Sequence, residues 1–452
     1  MMQVDGAPIT TDSLSGVATP SYRIPPEIIA KVIRELLPAK IGYATLMEER
    51  LEVLLTATSI CQYWRYAALD HATLWSVVPV DRKRLGELFL QRSRNAPLSI
   101  TFVANPGSCS PHQAMVLLLP HVQRVRKVQL RAPIPPLTEF LSALNLYLNG
   151  AQLEEISIKV DSKVGRFHGN ETSKVVLDLI LEHAPTLKAL RLDIFQCRFP
   201  ANQLMQLSNL SHLELLSTTH DIRDVSSLLT SLTNLASIKI RANTFGTRER
   251  FTDRIVPQST LRHIHLQFPY HPTNCVLDTL KIQTGVHLEC DILDGGSSTP
   301  LPLPSEFFEN TSGTEELRIA PRLYTGSGPN GSFCFSGDAL ACGIQPPIED
   351  LSHLTKLVVD GSVYRQFLED IVGSAPRLLS IGFICCEVIE PRTTDPLQKR
   401  LCSLVDVDPF TRDIGEEYPM GPNGEYCDGT GVSGTLEGER LEEFRSLLGN
   451  RS

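Results

Sequence analysis

A short apolar motif recurs along this chain at a spacing that leaves few folds open to it. The pattern L-x-x-L-x-L, with Ile, Val or Phe as occasional substitutes, occurs at Val125/Val128/Leu130, Leu153/Ile156/Ile158, Leu187/Leu190/Leu192, Leu210/Leu213/Leu215, Leu235/Ile238/Ile240 and Leu261/Ile264/Leu266. Further copies stand at Leu277/Leu280/Ile282, Leu354/Leu357/Val359 and Leu378/Ile381/Phe383, with a partial one at Leu317/Ile319. Two copies share their approach: LILEHAPTLKALRL (179–192) and EDIVGSAPRLLSIGF (369–383) both run from helix through Ala-Pro into an alternating strand. The proline ends the helix, because it disfavours helical geometry in the residue before it. A helix–turn–strand unit cannot bury both apolar faces alone, so neighbouring copies must stack.

Most intervals between copies fall in or near the 20–29 residue period of leucine-rich repeats, and residues 81–390 resemble an irregular leucine-rich-repeat solenoid. Stacking also accommodates a length of 452 residues, more than one ordinary domain holds. The uneven intervals predict insertions, placed at 286–312 and 322–350, where Gly, Pro and Ser gather. Residues 391–452 read as a loop-rich tail, closed by an amphipathic segment (LEGERLEEFRSLL) suited to capping the stack. The expected class is therefore α/β, with a small helical module ahead of the repeats.

That module follows a polar, Ser/Thr/Gly-rich stretch over 1–21, which is expected to be disordered. Pro25, Pro26 and Glu27 suit the first turn of a helix, and EIIAKVIRELL places Ile28, Ile29, Val32, Ile33, Leu36 and Leu37 on one stripe. A second helical segment carries Leu51, Leu54 and Leu55; a third puts Ile60, Cys61, Trp64, Ala67 and Ala68 on one face, and Leu74-Trp75 follows. Three short helices bury too little area to be comfortable alone, so the module packs on the chain or offers an apolar surface to a partner.

The run Ile24-Pro25-Pro26-Glu27-Ile28, then Leu54-Leu55, Ile60-Cys61-Gln62-Tyr63-Trp64-Arg65 and Leu74-Trp75, resembles an F-box-like domain of the fungal type over residues 22–80. Ile24 stands for the usual Leu and Ile60 for Val, and the linker from Ala39 to Glu49 is long. The resemblance implies docking of a Skp-family adaptor, and through it a cullin–RING ubiquitin ligase. By position it assigns that contact to Ile24, Pro25, Ile28, Leu54, Leu55, Cys61 and Trp64.

The strand residues flanking the last two apolar positions of each copy should point away from the core. Among them are the basic residues Lys127, Arg131, Lys159, Arg191, Lys239, Arg241 and Lys281, with His263 and His265, and fewer acidic ones. A mixed solvated face is one reading. The other is a target-binding face for an acidic or phosphorylated peptide, since arginines contact anions bidentately. His263 and His265 share a strand face and could begin a metal site, but no third ligand stands at the right spacing nearby, so a solvated face is expected.

No site for catalysis, metal or cofactor emerges. Two G-x-G-x-x-G matches, at Gly326–Gly331 and Gly429–Gly434, lack the strand-then-helix setting of a dinucleotide loop and read as surface loops. A net charge of −9 offers no basic field for nucleic acid, and no apolar run reaches the roughly 18 residues of a membrane span. The first twenty residues lack the features of a secretory signal, and the eleven cysteines form no C-x-x-C pair. Cytoplasm or nucleus is expected. The functional expectation is a non-enzymatic substrate-recognition subunit of an SCF-type ubiquitin ligase; the alternative is a repeat-based interaction scaffold without a ubiquitin role.

Overall fold

The structure, a computed structural model, describes residues 24–38, 44–105, 107–148, 152–161, 169–195, 197, 199–220, 222–245, 255–268, 280, 285–292, 316–320, 323–328, 331–337, 353–389 and 432–449. The stretch 1–21 lies outside them. The chain divides into two compact units, Met1–Ala132 with Leu146–Ala151, and Pro133–Asn145 with Gln152–Ser452. The first unit thus extends past residue 80, where a boundary was expected, to Ala132.

In the first unit the order is α1 (Pro26–Leu36), α2 (Ala44–Ile60), α3 (Gln62–Asp70), a 3-10 turn (Ala72–Trp75), β1 (Val77–Pro79), α4 (Lys83–Arg92), β2 (Leu98–Val103), α5 (Pro111–Leu118), a second 3-10 turn (Leu119–Arg124) and β3 (Val125–Ala132). Proline begins α1, where a missing N–H costs nothing. The Cys61 Sγ accepts from the Trp64 N–H at 3.5 Å to cap α3, and Ser110 with Gln113 forms a capping box on α5. Strands β1, β2 and β3 pair in parallel, with Val78 against Ile100 and Ile100 against Val128.

Trp75 ties helices to strands in this unit. It is buried, donates Nε1–H to the Ala68 carbonyl at 2.8 Å and meets the Phe89 ring edge-on at 5.1 Å. The Arg92 guanidinium lies 4.3 Å from its ring centroid, a cation–π contact. Arg50 of α2 is buried nearby and donates from Nη2 to the Leu74 carbonyl at 3.0 Å; burial lowers its guanidinium to about 10.

The second unit holds α6 (Ile134–Tyr147) up to Asn145, then β4 (Glu155–Val160), α7 (Gly169–Glu182), β5 (Ala189–Asp193), α8 (Ala201–Leu204), β6 (His212–His220), α9 (Ile222–Ser231), β7 (Ser237–Phe245), β8 (His263–Phe268) and β9 (Val286–Ile292). It continues with β10 (Glu316–Ala320), β11 (Leu323–Gly328), β12 (Gly331–Gly337), β13 (Lys356–Tyr364), α10 (Arg365–Ser374), β14 (Ser380–Ile389), β15 (Val432–Glu437) and α11 (Glu439–Gly449). From β4 to β9 each strand pairs in parallel with the next in sequence. The motif sets the register: Ile156, Leu190, Leu213, Ile238, Ile264 and Leu288 stand side by side, each no more than 1% exposed.

A polar ladder runs beside the apolar one. Thr186, Asn209, Asn234 and Thr260 each stand one place before the first leucine of a copy. Each donates its side-chain O–H or N–H to a carbonyl of the preceding repeat, those of Leu153, Pro185, Ser208 and Thr233, at 2.7 Å. The turn that enters each strand, with no regular ladder of its own, is bonded in this way.

Several expectations are corrected here. Of the copy at Leu277/Leu280/Ile282 only Leu280 lies among the described residues, buried and bridged in parallel to Ile255, and the strand that pairs with β8 is β9, with Leu288 and Cys290 in the buried positions. Gly285, at φ +79, takes the place of the first leucine, so the motif was hidden; Lys281 lies outside the described residues. The stretch 286–312, expected as an insertion loop, begins with this strand. The stretch 322–350 contains a hairpin, in which β11 and β12 pair antiparallel up to Gly328 against Gly331. Within the Gly-rich match itself, Gly326, Gly328 and Gly331 therefore lie on strands, and of the other match Gly434 pairs with Phe383 while Gly429 lies outside the described residues.

The hairpin also reverses the order of the sheet. Strand β9 pairs in parallel with β12, then come β11 and β10 by antiparallel steps, and β10 pairs in parallel with β13. Beyond β13 lies β14, and β15 closes antiparallel on it. Helix α11 buries Leu441 and Phe444, while its Arg445 donates to the carbonyls of Ala375 and Leu378. The amphipathic segment expected as a cap is thus a helix packed on the last repeat, preceded by a strand, while residues 390–431 lie outside the described residues.

Candidate functional site

Two surfaces attract attention, one in each unit. In the first unit, the apolar stripe of α1 divides. Ile29, Ile33 and Leu37 are buried, whereas Ile28, Val32 and Leu36 stay 49%, 43% and 62% exposed. Apolar pairs at 28–29, 32–33 and 36–37 occupy adjacent positions about 100° apart, so both members cannot turn to one core. The outer members form a row one turn apart along the helix.

The residues assigned to adaptor docking distribute accordingly. Ile24, Ile28 and Leu55 are exposed, as is Pro25, whose carbonyl accepts the Ile28 and Ile29 N–H groups. Leu54 is fully buried with Ala57 in the module's core, which corrects its assignment as a contact residue. Cys61 and Trp64 are half-buried, Cys61 being engaged as the cap of α3. Val32 and Leu36, left out of the assignment, belong to the exposed row; Ile60 and Tyr66 are exposed apolar residues as well.

A cleft in the same unit is lined by Asp81, Arg82, Lys83, Arg84 and Cys109. Burial pushes the Asp81 carboxyl up, outweighing backbone N–H groups and Arg82. Burial, helped by Asp81, pushes the Cys109 thiol up too, and the thiol donates to the Val80 carbonyl at 2.8 Å. That shift is the reverse of what a nucleophilic thiol needs.

In the second unit, the outward positions of the strands form a cross-strand ladder. Its middle row reads Ser157, Arg191, Glu214, Lys239, His265, Glu289. Signs largely alternate, and neighbours bind: Arg191 Nε lies 3.1 Å from Glu214, and Lys159 Nζ 3.5 Å from Asp193. Arg241 is exposed and Lys239 half-buried on the same face. Of the basic residues counted on this face, Arg191 and Lys159 are thus set against acids of the adjacent strand. Opposite charges on adjacent strands pair across the ladder, which a tally of bases and acids along the row does not reveal. Lys127 and Arg131 flank the buried positions of β3 in the first unit, Lys127 exposed and Arg131 half-buried.

The lower end of the ladder carries the two histidines singled out earlier. Register sets His263 opposite His287, His265 opposite Glu289 and Gln267 opposite Asp291. His265 Nδ1 lies 2.8 Å from Glu289 Oε2, and its Nε2 2.8 Å from Asp291 Oδ2. Burial lowers the His287 imidazole, with His263 and His265 adding to the effect and Glu289 opposing it. Further ligand-type residues do stand beside this histidine pair, contrary to expectation. They come from the next repeat, and only the H-x-E-x-D spacing on β9 could have announced them.

No helix among the described residues is long and apolar enough to cross a membrane. No family model matches the chain, and no curated protein matches it. Among solved structures, an internalin from Listeria monocytogenes is similar over 80% of this chain and 93% of its own, with 13% identity and a TM-score of 0.30. A leucine-rich-repeat protein of Leptospira interrogans is similar over 66% of this chain and 81% of its own, with 13% identity and a TM-score of 0.28. Likeness at these scores carries no argument by itself. The leucine-rich-repeat-like character of the second unit rests on its own motif, its sequential parallel strands and their register.

Proposed function

We propose that the protein is a two-surface adaptor: its N-terminal helices serve as an F-box-like module that binds a Skp-family protein, and its repeats bind a target protein. In this reading it is a substrate-recognition subunit of an SCF-type ubiquitin ligase acting in the cytoplasm or nucleus. It performs no chemistry itself. It brings target lysines to the ligase by raising their local concentration. The observation that carries the reading is the exposed row Ile28, Val32 and Leu36 on α1, an apolar strip that the module's own core leaves uncovered. Solvent-facing apolar rows at helical spacing are the form that helix-in-groove contacts take. For the target, the alternating charges of the strand face favour a partner surface of mixed charge over a uniformly acidic or phosphorylated peptide.

The test is retention of the intact chain on an immobilised, purified Skp-family adaptor, beside the double variant I28E/L36E. Retention of the intact chain and loss in the folded variant is the expected result. Equal retention of both would move the contact off α1. No retention of the intact, folded chain would end the ubiquitin reading and leave an interaction scaffold.

A further inference from the structure

The cluster on β8 and β9 is built differently from the rest of the strand face. Elsewhere along the ladder a long cation meets one carboxylate, as Arg191 meets Glu214. Here a single imidazole, 15% exposed, is clasped between two carboxylates that are themselves 37% and 24% exposed. Gln267 donates to the same Asp291 oxygen that faces His265 and so steadies that carboxylate. One step along the ladder the His263 and His287 rings lie 6.0 Å apart, so imidazoles and not lysines border the cluster on that side. One donor atom each from His265, Glu289 and Asp291 can be chosen so that all three lie within 4.8 Å of one another.

We propose that His265, Glu289 and Asp291 form a binding site for a divalent transition-metal ion of the zinc class. One imidazole nitrogen with two carboxylate oxygens is a donor set suited to such ions and not to soft, sulfur-seeking ones. The His265 imidazole is already 2.8 Å from a carboxylate oxygen on each side, and the three donor atoms all lie within 4.8 Å of one another. An ion held at about 2.0–2.2 Å by one imidazole nitrogen and the carboxylate facing it requires the other carboxylate, which faces the far nitrogen of the same ring, to swing to that side. Side-chain torsions supply that without moving the strands, whose register holds the donors on one face. The ion takes the place of the proton between His265 and one carboxylate, and the second carboxylate turns in as the third ligand. Gln267 acts as a positioning residue on Asp291. Three protein donors leave a fourth position open to water, the arrangement of sites that remain accessible from outside.

The intact protein, stripped with a chelator and dialysed, is titrated with zinc chloride in a calorimeter beside H265A and the near-isosteric double variant E289Q/D291N. Circular dichroism and urea midpoints establish that the variants fold. If H265A does not, the double variant decides alone. The expected result is one zinc ion per wild-type chain, with affinity falling by more than about tenfold in each folded variant. Cobalt loaded at the same site should show no intense sulfur-to-cobalt charge-transfer band, which separates this site from the cysteines. Zinc uptake by the double variant as tight as wild type, no uptake by wild type, or a sulfur band in the cobalt spectrum would each overturn the proposal.

Discussion

Asp81 illustrates how a single carboxylate can tune this fold against pH. It is 7% exposed, and Arg82 Nε stands 3.9 Å away, yet burial dominates and its pKa in the folded chain is raised above 3.8. Folding therefore disfavours the charged form. The stability Asp81 contributes is present below its unfolded value and is lost as pH rises through the folded one. An asparagine of the same shape has no charge to bury. D81N is therefore expected to raise the urea midpoint at neutral pH, with the gain shrinking as the pH is brought below 3.8. A gain that persists unchanged in acid would show that the carboxyl's charge is not the cause. At this scale the sequence is silent, since Asp81 is one acid among fifty-one Asp and Glu residues until its burial is known.

Among elements, α1 shows most clearly what periodicity can and cannot foretell. Its helix, its start at Pro26 and its apolar character all follow from the residues. The division of its stripe does not, because a helix apolar around half its circumference gives no sign of which half meets the core. The core takes Ile29, Ile33 and Leu37, and the difference should be measurable. Ile33→Ala is expected to cost about 2–5 kcal/mol through lost burial and the cavity left behind. L36E alone should change stability by no more than about 0.5 kcal/mol, as exposed positions do. Comparable losses from both in urea denaturation would mean that the outer row is covered within the folded chain. The same reasoning explains β9. Its strand was missed because Gly285 occupies a leucine position, while its alternation of Leu288 and Cys290 with His, Glu and Asp was visible all along.

At the scale of the second unit, the determining feature is the meander of β10, β11 and β12, which joins two runs of parallel strands. Without β12, strand β9 would present an unpaired row of N–H and C=O groups, and such edges recruit other chains. Deleting residues 323–337 is expected to convert the protein to oligomers or aggregates, followed by size-exclusion chromatography with light scattering. A monomeric, folded deletion variant would show that the edge is protected by some other means. The repeats on either side were legible from the motif, since each strand is specified by its own apolar triplet. The meander was not, because its glycines and serines, read one at a time, favour turns, and only pairing with β9 and β13 makes them strands.

The reversal at the meander also bears on how such a chain can change over generations. Between β4 and β9, the strand that follows in sequence is the strand alongside in space. One period duplicated or excised there lengthens or shortens the stack while every remaining strand keeps a neighbour of the same kind. Between β9 and β13 this interchangeability ends, for the partner of β9 arrives only after two other strands have been laid down, and an extra period would separate pairs that must meet. The chain is therefore modular on one side of the meander and indivisible across it.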